Sequence, residues 1–410
     1  MKRRLSSLPN IALPPEMPRE LNEPRVLSLF TGCGGMDLGF EVTGFHSTAM
    51  VEIEKFACAT LRFNFPNARV IGPPEANGDI RQLCAEDVVD VPVDLLIGGP
   101  PCQSFSIAAG QRFLRGDAKF KRIGFMDRAR GTLVHDYLRL LAEIRPKVFV
   151  IENVPGLMEL DGASNLSAIL DVCRDLGYSV AEPRILQAAD YGVPQYRRRL
   201  MILGALGAAP EYPVPTHSPR PSLFEKPYVT VAEALIGLDP STPSHLPRNH
   251  FATSIQRYRT LCVGQREQLG RVDRLDPCRP SKTVIAGGSN GGGRSHLHPL
   301  LARTMTVREC ARLQTFPDGF EFSGTMSRQF TQVGNAVPPL LAEVLARQIG
   351  EQFFGMRFVD PPRLGGRPPA QSVRECVMRM YGQVQGESEL LYEDTPHPYL
   401  DELLRVPTAV

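Results

Sequence analysis

The stretch VLSLFTGCGGMDLGFEVTGF, residues 26–45, reads as a buried strand that runs into a turn with glycines at 32, 34 and 35 and then into a helical pattern. Glycines at the carboxyl end of a first strand let a ligand lie against the main chain and the N-terminus of the following helix. Glu52 ends the next apolar run, TAMVEI (48–53), where a carboxylate can take both hydroxyls of a ribose. The order is G-x-G-G rather than the dinucleotide G-x-G-x-x-G, and nothing in it suits a pyrophosphate. Taken alone, the pattern leaves two readings open: a nucleoside-cofactor site, or a glycine-rich turn of any α/β protein.

Working outward, VDLLIGG (93–99), KVFVIENV (147–154) and RLMILG (199–204) are apolar throughout, as strands covered on both faces are. Amphipathic stretches such as LVHDYLRLLAEI (133–144) lie between them. This alternation predicts an α/β fold with a doubly wound, mostly parallel sheet. After Gly204 the alternation stops. Residues 205–302 are rich in Pro, Ser, Gly and Arg and read as a smaller, loop-rich lobe. Helical patterns return in TVRECARLQ (306–314) and PPLLAEVLARQI (338–349). The expected division is a leader at 1–24, a first part of the main domain at 25–204, the lobe at 205–302, a hinge and return at 303–350, and a polar tail at 351–410.

The composition narrows the class. The chain has 410 residues, and its 46 Lys/Arg against 44 Asp/Glu leave a net charge of +2, so any nucleic-acid contact needs its positive charge gathered locally. Such a run is QRFLRGDAKFKRIGFMDRAR (111–130), with seven Lys/Arg against two Asp. Nine cysteines without a C-x-x-C argue against a disulfide framework and a zinc ribbon, and any one of them could be a nucleophile. His296 and His298 invite a metal reading, but no third ligand stands near them, so no metal is expected. The basic start MKRRLSSLPNIALPP is broken by prolines before an apolar segment forms, and no apolar run approaches the ~18 residues of a membrane span. A secreted, membrane or disordered protein is not expected.

Three further segments carry chemistry. IGGPPCQSFS (97–106) presents Cys102 just past a strand's carboxyl end, where open α/β sheets hold their ligands; a lone Cys is as readily a small buried hydrophobe. VIENV (150–154) puts Glu152 at the same sheet edge. DYGVPQYRRRLMILG (190–204) leads three arginines into a strand, with Arg197 and Arg199 on one side by alternation, although a solvated basic turn would read the same way.

In this order, GCGG, PPCQSFS, ENV, Q-x-R-x-R and QVGNAVPP (332–339) resemble the DNA (cytosine-5)-methyltransferases of bacterial restriction-modification type, from about Val26 to Ile349. RGTL (130–133), Gly78–Asp79 and RTMTVRECARLQTFP (303–317) extend the agreement. The resemblance implies S-adenosylmethionine as cofactor. Phe30 would stack on the adenine, and Gly32, Gly34 and Gly35 would let the methionine moiety approach the backbone. Glu52 would bind the ribose hydroxyls, Asp79 and Ile80 the adenine, with Pro100, Leu133, Asn335 and Val337 completing the pocket. The Cys102 thiolate would attack C6 of a flipped-out cytosine while Glu152 protonates N3, and Arg199 with Arg197 would hold O2. Residues 205–302 take the place of the target-recognition domain, with Gln265, Thr283 and Arg294 as candidate DNA contacts.

The implied partner is double-stranded DNA. Two settings are open: modification partner of a cognate restriction endonuclease acting on the same site, without direct contact, or a free-standing methylase. A monomer in the bacterial cytoplasm, working on the chromosome, is expected. A tRNA cytosine-5 methyltransferase of the same fold is the alternative, since that branch keeps ENV. The commoner RNA branch has a second Cys where this chain has Glu152. A nicotinamide oxidoreductase explains neither PPCQ nor ENV. A catalytically dead DNA-binding protein is opposed by the intact Cys102, Glu152 and Arg199.

Overall fold

The run RVLSL (Arg25–Leu29) forms the first strand, β1, and Val26, Leu27 and Leu29 lose all contact with solvent. The computed structural model describes residues 23–101, 133–159, 164–267, 269, 272–286, 296–365 and 372–384. Seven more strands join β1: β2 (His46–Val51), β3 (Arg69–Ile71), β4 (Leu95–Gly98), β5 (Val148–Asn153), β6 (Tyr178–Val180), β7 (Arg184–Gln187) and β8 (Arg198–Leu206). They form one eight-stranded sheet in the order β3-β2-β1-β4-β5-β8-β6, with β7 also pairing to β8. The pairs among β3, β2, β1, β4 and β5 are parallel, whereas β8 runs antiparallel to β5, β6 and β7. This is the doubly wound, mostly parallel fold expected from the alternation.

Both faces are covered, which is why the strands read as continuous apolar runs. Val26, Ile97, Val150 and Met201 pack under the helices Gly35–Glu41 and Pro339–Phe354, through Phe40, Leu341 and Leu345. Leu27, Leu96, Phe149 and Ile202 pack under Leu133–Ile144 and Ser164–Asp175, through Tyr137, Leu141 and Ile169. The chain winds from β1 to β2 and β3 on one side, then crosses to β4 on the other side of β1. The crevice at the carboxyl ends of β1 and β4 is therefore the switch point, where such sheets bind ligands.

Residues 205–302 have no βα alternation; their described elements are a two-residue strand pair (His217–Ser218 with Lys226–Pro227) and the helices Val231–Leu235 and Ala252–Arg259. The first of these helices joins a core with Val307–Leu313, Met326–Asn335 and, from the opposite end of the chain, Val373–Val384. The polar tail expected from 351 thus contains a packed helix. Cys376, Val377, Met380 and Val384 form a buried stripe that the average composition of the segment conceals. Among the described residues, no helix is long and apolar enough to cross a membrane.

Asp37, in the helix behind the glycine-rich turn, is fully buried and its carboxylate oxygens make no well-formed hydrogen bond. Burial pushes its carboxyl up from 3.8 to about 7, with the Ser28 hydroxyl and a main-chain N–H pulling the other way. The folded state holds the proton more tightly than the unfolded one, so stability falls as the pH rises from about 4 to about 7. Asp37→Asn, which removes the ionisation, is expected to raise stability near pH 8 by ~2–4 kcal/mol. Urea unfolding across the pH range should show that gap closing toward pH 4; a constant gap would mean the carboxyl does not titrate in that window.

Candidate active site

The register of the parallel strands gathers the first part of the site. Leu29 pairs with Val51 and with Gly98, so the residues just past β1, β2 and β4 emerge side by side. Phe30 turns the chain there in the left-handed region, at φ 55°, a costly setting for a bulky residue. Gly32 and Gly34 follow at φ 60° and 83°, conformations that glycine adopts without strain. A Cβ at Gly32 would meet nothing within 4 Å, so its main chain forms an open wall. At Gly35 a Cβ would collide with the Val337 carbonyl, which brings the QVGNAVPP segment against the glycine-rich turn.

Glu52 closes this wall. Its Oε2 accepts from Gly32 N–H at 2.7 Å, and its Oε1 accepts from Ile53 and Glu54 N–H at 2.9 and 2.8 Å. Burial pushes the carboxyl up against these three donors. Asp79 stands near, because Gly78 packs on the Glu52 main chain where a Cβ would clash. The Asp79 carboxylate is held by Arg81 Nε at 2.8 Å, and Ile80 beside it is buried. Ile53, which the sequence reading passed over, is 56% exposed next to Glu52. Its signal was an apolar residue left over once the strand had ended. An open main-chain wall, an acceptor carboxylate and the apolar Phe30 and Ile53 together fit a nucleoside that has hydroxyls to donate.

The second part lies at the ends of β4 and β5. Glu152 Oε1 meets Arg199 Nε at 2.6 Å, with 12% and 13% of the two side chains exposed. A Cβ at Gly99 would stand 2.9 Å from Glu152 Oε2, so the glycine before Pro100 makes room for the carboxylate. Asn153 Nδ2 donates to the Pro100 carbonyl at 3.2 Å, and its Oδ1 accepts from Val154 N–H at 2.9 Å. The tripeptide Glu152–Val154 therefore holds both an acid and the root of the Pro-Pro-Cys turn. Leu133 begins its helix half-buried against the same core, and Asn335 is exposed at the end of its own. Cys102, Arg294 and the basic run 111–130 lie outside the described residues.

The surroundings of Arg197 and of three cysteines bear on the roles expected of them. Arg197 shares a side with Arg199 as predicted, and that charge and burial both push its guanidinium down. However, it is fully buried, and its NH2 and NH1 groups donate to the carbonyls of Gly334 at 2.8 Å and Val284 at 3.4 Å. It is spent on main chain rather than presented to a base. The open question over the cysteines also narrows: burial pushes Cys33, Cys58 and Cys173 up to about 12, which makes poor nucleophiles of them.

Of the candidate DNA contacts, Thr283 is exposed and its hydroxyl donates to the Tyr196 carbonyl at 2.7 Å, beside Arg197. Gln265 is exposed and accepts from Cys262 N–H within its own turn, apart from these groups. The two histidines serve the main chain. His296 Nε2 lies 3.1 Å from the Thr283 carbonyl, and His298 Nδ1 accepts from Leu300 and Leu301 N–H. Burial pushes His298 down to about 3, so its ring is neutral.

Fold and site define an α/β methyltransferase with an acid–arginine pair at the carboxyl ends of the parallel strands. The chain belongs to the C-5 cytosine-specific DNA methylase family, whose model matches residues 24–351. Among its relatives, the type II methyltransferase M.PspPI of Psychrobacter sp. is 37% identical over 345 residues, covering 79% of this chain and 78% of that protein. M.XorII of Xanthomonas oryzae is 34% identical over 375 residues, covering 80% and 85%. A solved structure of an E. coli prophage DNA modification methyltransferase aligns with a TM-score of 0.63 at 26% identity, over 80% of this chain and 99% of that one. The S. pombe Dnmt2 methyltransferase, with a TM-score of 0.55 at 20% identity over 80% and 99%, shares the fold. The protein is a DNA cytosine-5 methyltransferase that uses S-adenosylmethionine as methyl donor.

Glu52→Ala is expected to weaken S-adenosylmethionine binding by ~1–3 kcal/mol, the range for losing a charged hydrogen-bonding partner. Calorimetry on the folded variant measures it. Unchanged affinity would mean that the carboxylate serves only the three main-chain donors.

Proposed function

We propose that this chain methylates C5 of a flipped-out cytosine within a specific duplex site, with Cys102 as nucleophile, Glu152 as acid and Arg199 as the group that holds the base. The observation that carries the reading is the Glu152–Arg199 pair at 2.6 Å, beside the Gly99–Pro100 turn that leads directly into Cys102. Cytosine C5 is a weak nucleophile until C6 is saturated. The Cys102 thiolate forms a bond to C6 while Glu152 delivers a proton to N3, and the electron pair moves toward C5. S-adenosylmethionine, when bound, supplies the methyl group. Loss of the C5 proton to a base, return of the electron pair that breaks the Cys102–C6 bond and return of the N3 proton to the Glu152 carboxylate then restore the ring. Arg199 orients the Glu152 carboxylate and, in this reading, donates to O2 of the base.

In this reading Phe30, Gly32, Gly34, Gly35, Glu52, Asp79, Ile80, Pro100, Leu133, Asn335 and Val337 hold the cofactor, and Ile53 adds a second apolar wall. Residues 205–302 read the DNA site, through Thr283, Arg294 and Gln265. The protein acts as a monomer in the bacterial cytoplasm, on the chromosome, as the modification partner of an endonuclease cutting the same site. Its restriction-modification relatives support this placement.

Bisulfite sequencing of DNA from cells expressing the chain should return methylated cytosine in one sequence context. Cys102→Ser should abolish that signal and leave S-adenosylmethionine affinity unchanged, since Cys102 is not among the residues proposed to hold the cofactor. Methylation by the serine variant at near the wild-type rate would remove Cys102 from the mechanism.

A further inference from the structure

Arg197 is one of the largest fully buried side chains of the protein, and the mechanism does not use it. What surrounds it is a junction of three segments far apart in the chain. The extended residues 195–197 lie along 281–284: Gln195 bridges to Ser281, Tyr196 N–H donates to the Ser281 carbonyl at 2.8 Å, and Val284 N–H donates to Gln195 Oε1 at 2.8 Å. On the other side, Gln195 Nε2 donates to Gln314 Oε1 at 2.8 Å, and Gln314 Nε2 donates to the Val333 carbonyl at 2.7 Å. Arg197 closes the junction, since one guanidinium spans Val284 and Gly334.

The segment 334–337 is pressed from two directions. On one face, Gly334 touches the main chain of Ile285 and Ala286 so closely that no Cβ fits; those residues lead into the glycine-rich run 287–294 of the lobe. On the other face, the Val337 carbonyl fills the space that a Cβ at Gly35 would need, in the turn that forms the cofactor wall. Neither contact has a side chain that could adjust by changing rotamer. The glycine-rich turn, 334–337 and 284–286 thus lie in one line of main-chain contacts, and Arg197 bonds the last two segments together.

We infer that Arg197 is a positioning residue that couples the cofactor wall to the DNA-reading lobe, acting with Gly334 and touching neither base nor cofactor. This rests on the proposed function for its two ligands. Its consequence is that occupancy of the cofactor site and affinity for DNA depend on one another through this residue, and such coupling is reciprocal. Its Nε bonds nothing in the described structure, so an apolar chain of similar length is a milder replacement than for a fully bonded guanidinium.

The test measures duplex affinity with and without S-adenosylhomocysteine, on an oligonucleotide carrying the site that bisulfite sequencing returns. The wild type should bind the duplex at least tenfold more tightly with S-adenosylhomocysteine present. Arg197→Met should reduce that enhancement to less than threefold and lower kcat, with S-adenosylhomocysteine affinity within threefold of wild type. Arg197→Lys, which keeps the charge and one donor, should recover part of the enhancement. Gly334→Ala, whose Cβ forces the two segments apart, should reproduce the loss from the opposite side of the contact, and Arg197→Lys carries the test if the methionine variant does not fold. Wild-type enhancement surviving in these variants overturns the inference, as does a wild type with no enhancement. A parallel fall in folding stability and cofactor affinity would assign Arg197 a purely structural role and also overturn it. Failure of the functional reading looks different: the wild type would then leave no methylated cytosine for the assay to find.

Discussion

The Glu152 carboxylate and the Arg199 guanidinium are both largely withdrawn from water and meet at 2.6 Å. Charges in such a setting persist only when they are paired, so each residue is needed to keep the other where it is. The pair exists because β8 runs antiparallel to β5, with Glu152 opposite Met201 and Asn153 opposite Leu200. Alternation along β8 puts Arg199 on the same face as Met201, and hence on that of Glu152. Had β8 joined the sheet in parallel, like β1 through β5, its arginines would have entered at the opposite edge. The antiparallel strand is thus a requirement of the pair, since it delivers a cation to the carboxyl ends of the parallel strands.

The same withdrawal from water explains how arginine is used in the rest of the chain. A lobe built from loops has few sheet partners for its buried carbonyls, and those carbonyls need donors. Arg274 donates to the carbonyls of Leu261, His298, Leu301 and Tyr258. Arg308 donates to those of Pro243, Pro317 and Phe320, and Arg312 to those of Ile236 and Gly237. A planar group with five fixed donors suits this task where lysine would not. Arg197 belongs to the same set by its bonding, although its charged neighbours are Arg199 and Glu152. Arginine content in the lobe and in the segment that follows it is therefore a poor map of DNA contact.

Much of the molecule was legible in advance because it is written locally. The strand–glycine turn at 26–35, the apolar strands and the acidic ends of β2 and β5 depend on residues adjacent in the chain, where steric limits on the main chain and a single period of burial decide the outcome. Glu52 and Glu152 were found in this way, and the ordered series of motifs identified the family. Ile53 was readable too, from a strand that ends one residue too soon.

What lay beyond the sequence concerns partners that only packing brings together. By itself, the sequence determined that the sheet is doubly wound and mostly parallel and which residue types stand at the strand ends. It placed Arg197 and Arg199 two positions apart on one side, and nothing in that spacing separates them. Only the tertiary structure did so, since Arg199 meets a carboxylate at the sheet edge while Arg197 is covered by segments 87 and 137 residues further along the chain. The helix Val373–Val384 and the buried Asp37 were hidden for the same reason, because burial is set by what covers a residue. Local sterics act within a turn or two of chain, whereas desolvation and hydrogen-bond satisfaction are settled by whatever the fold places alongside.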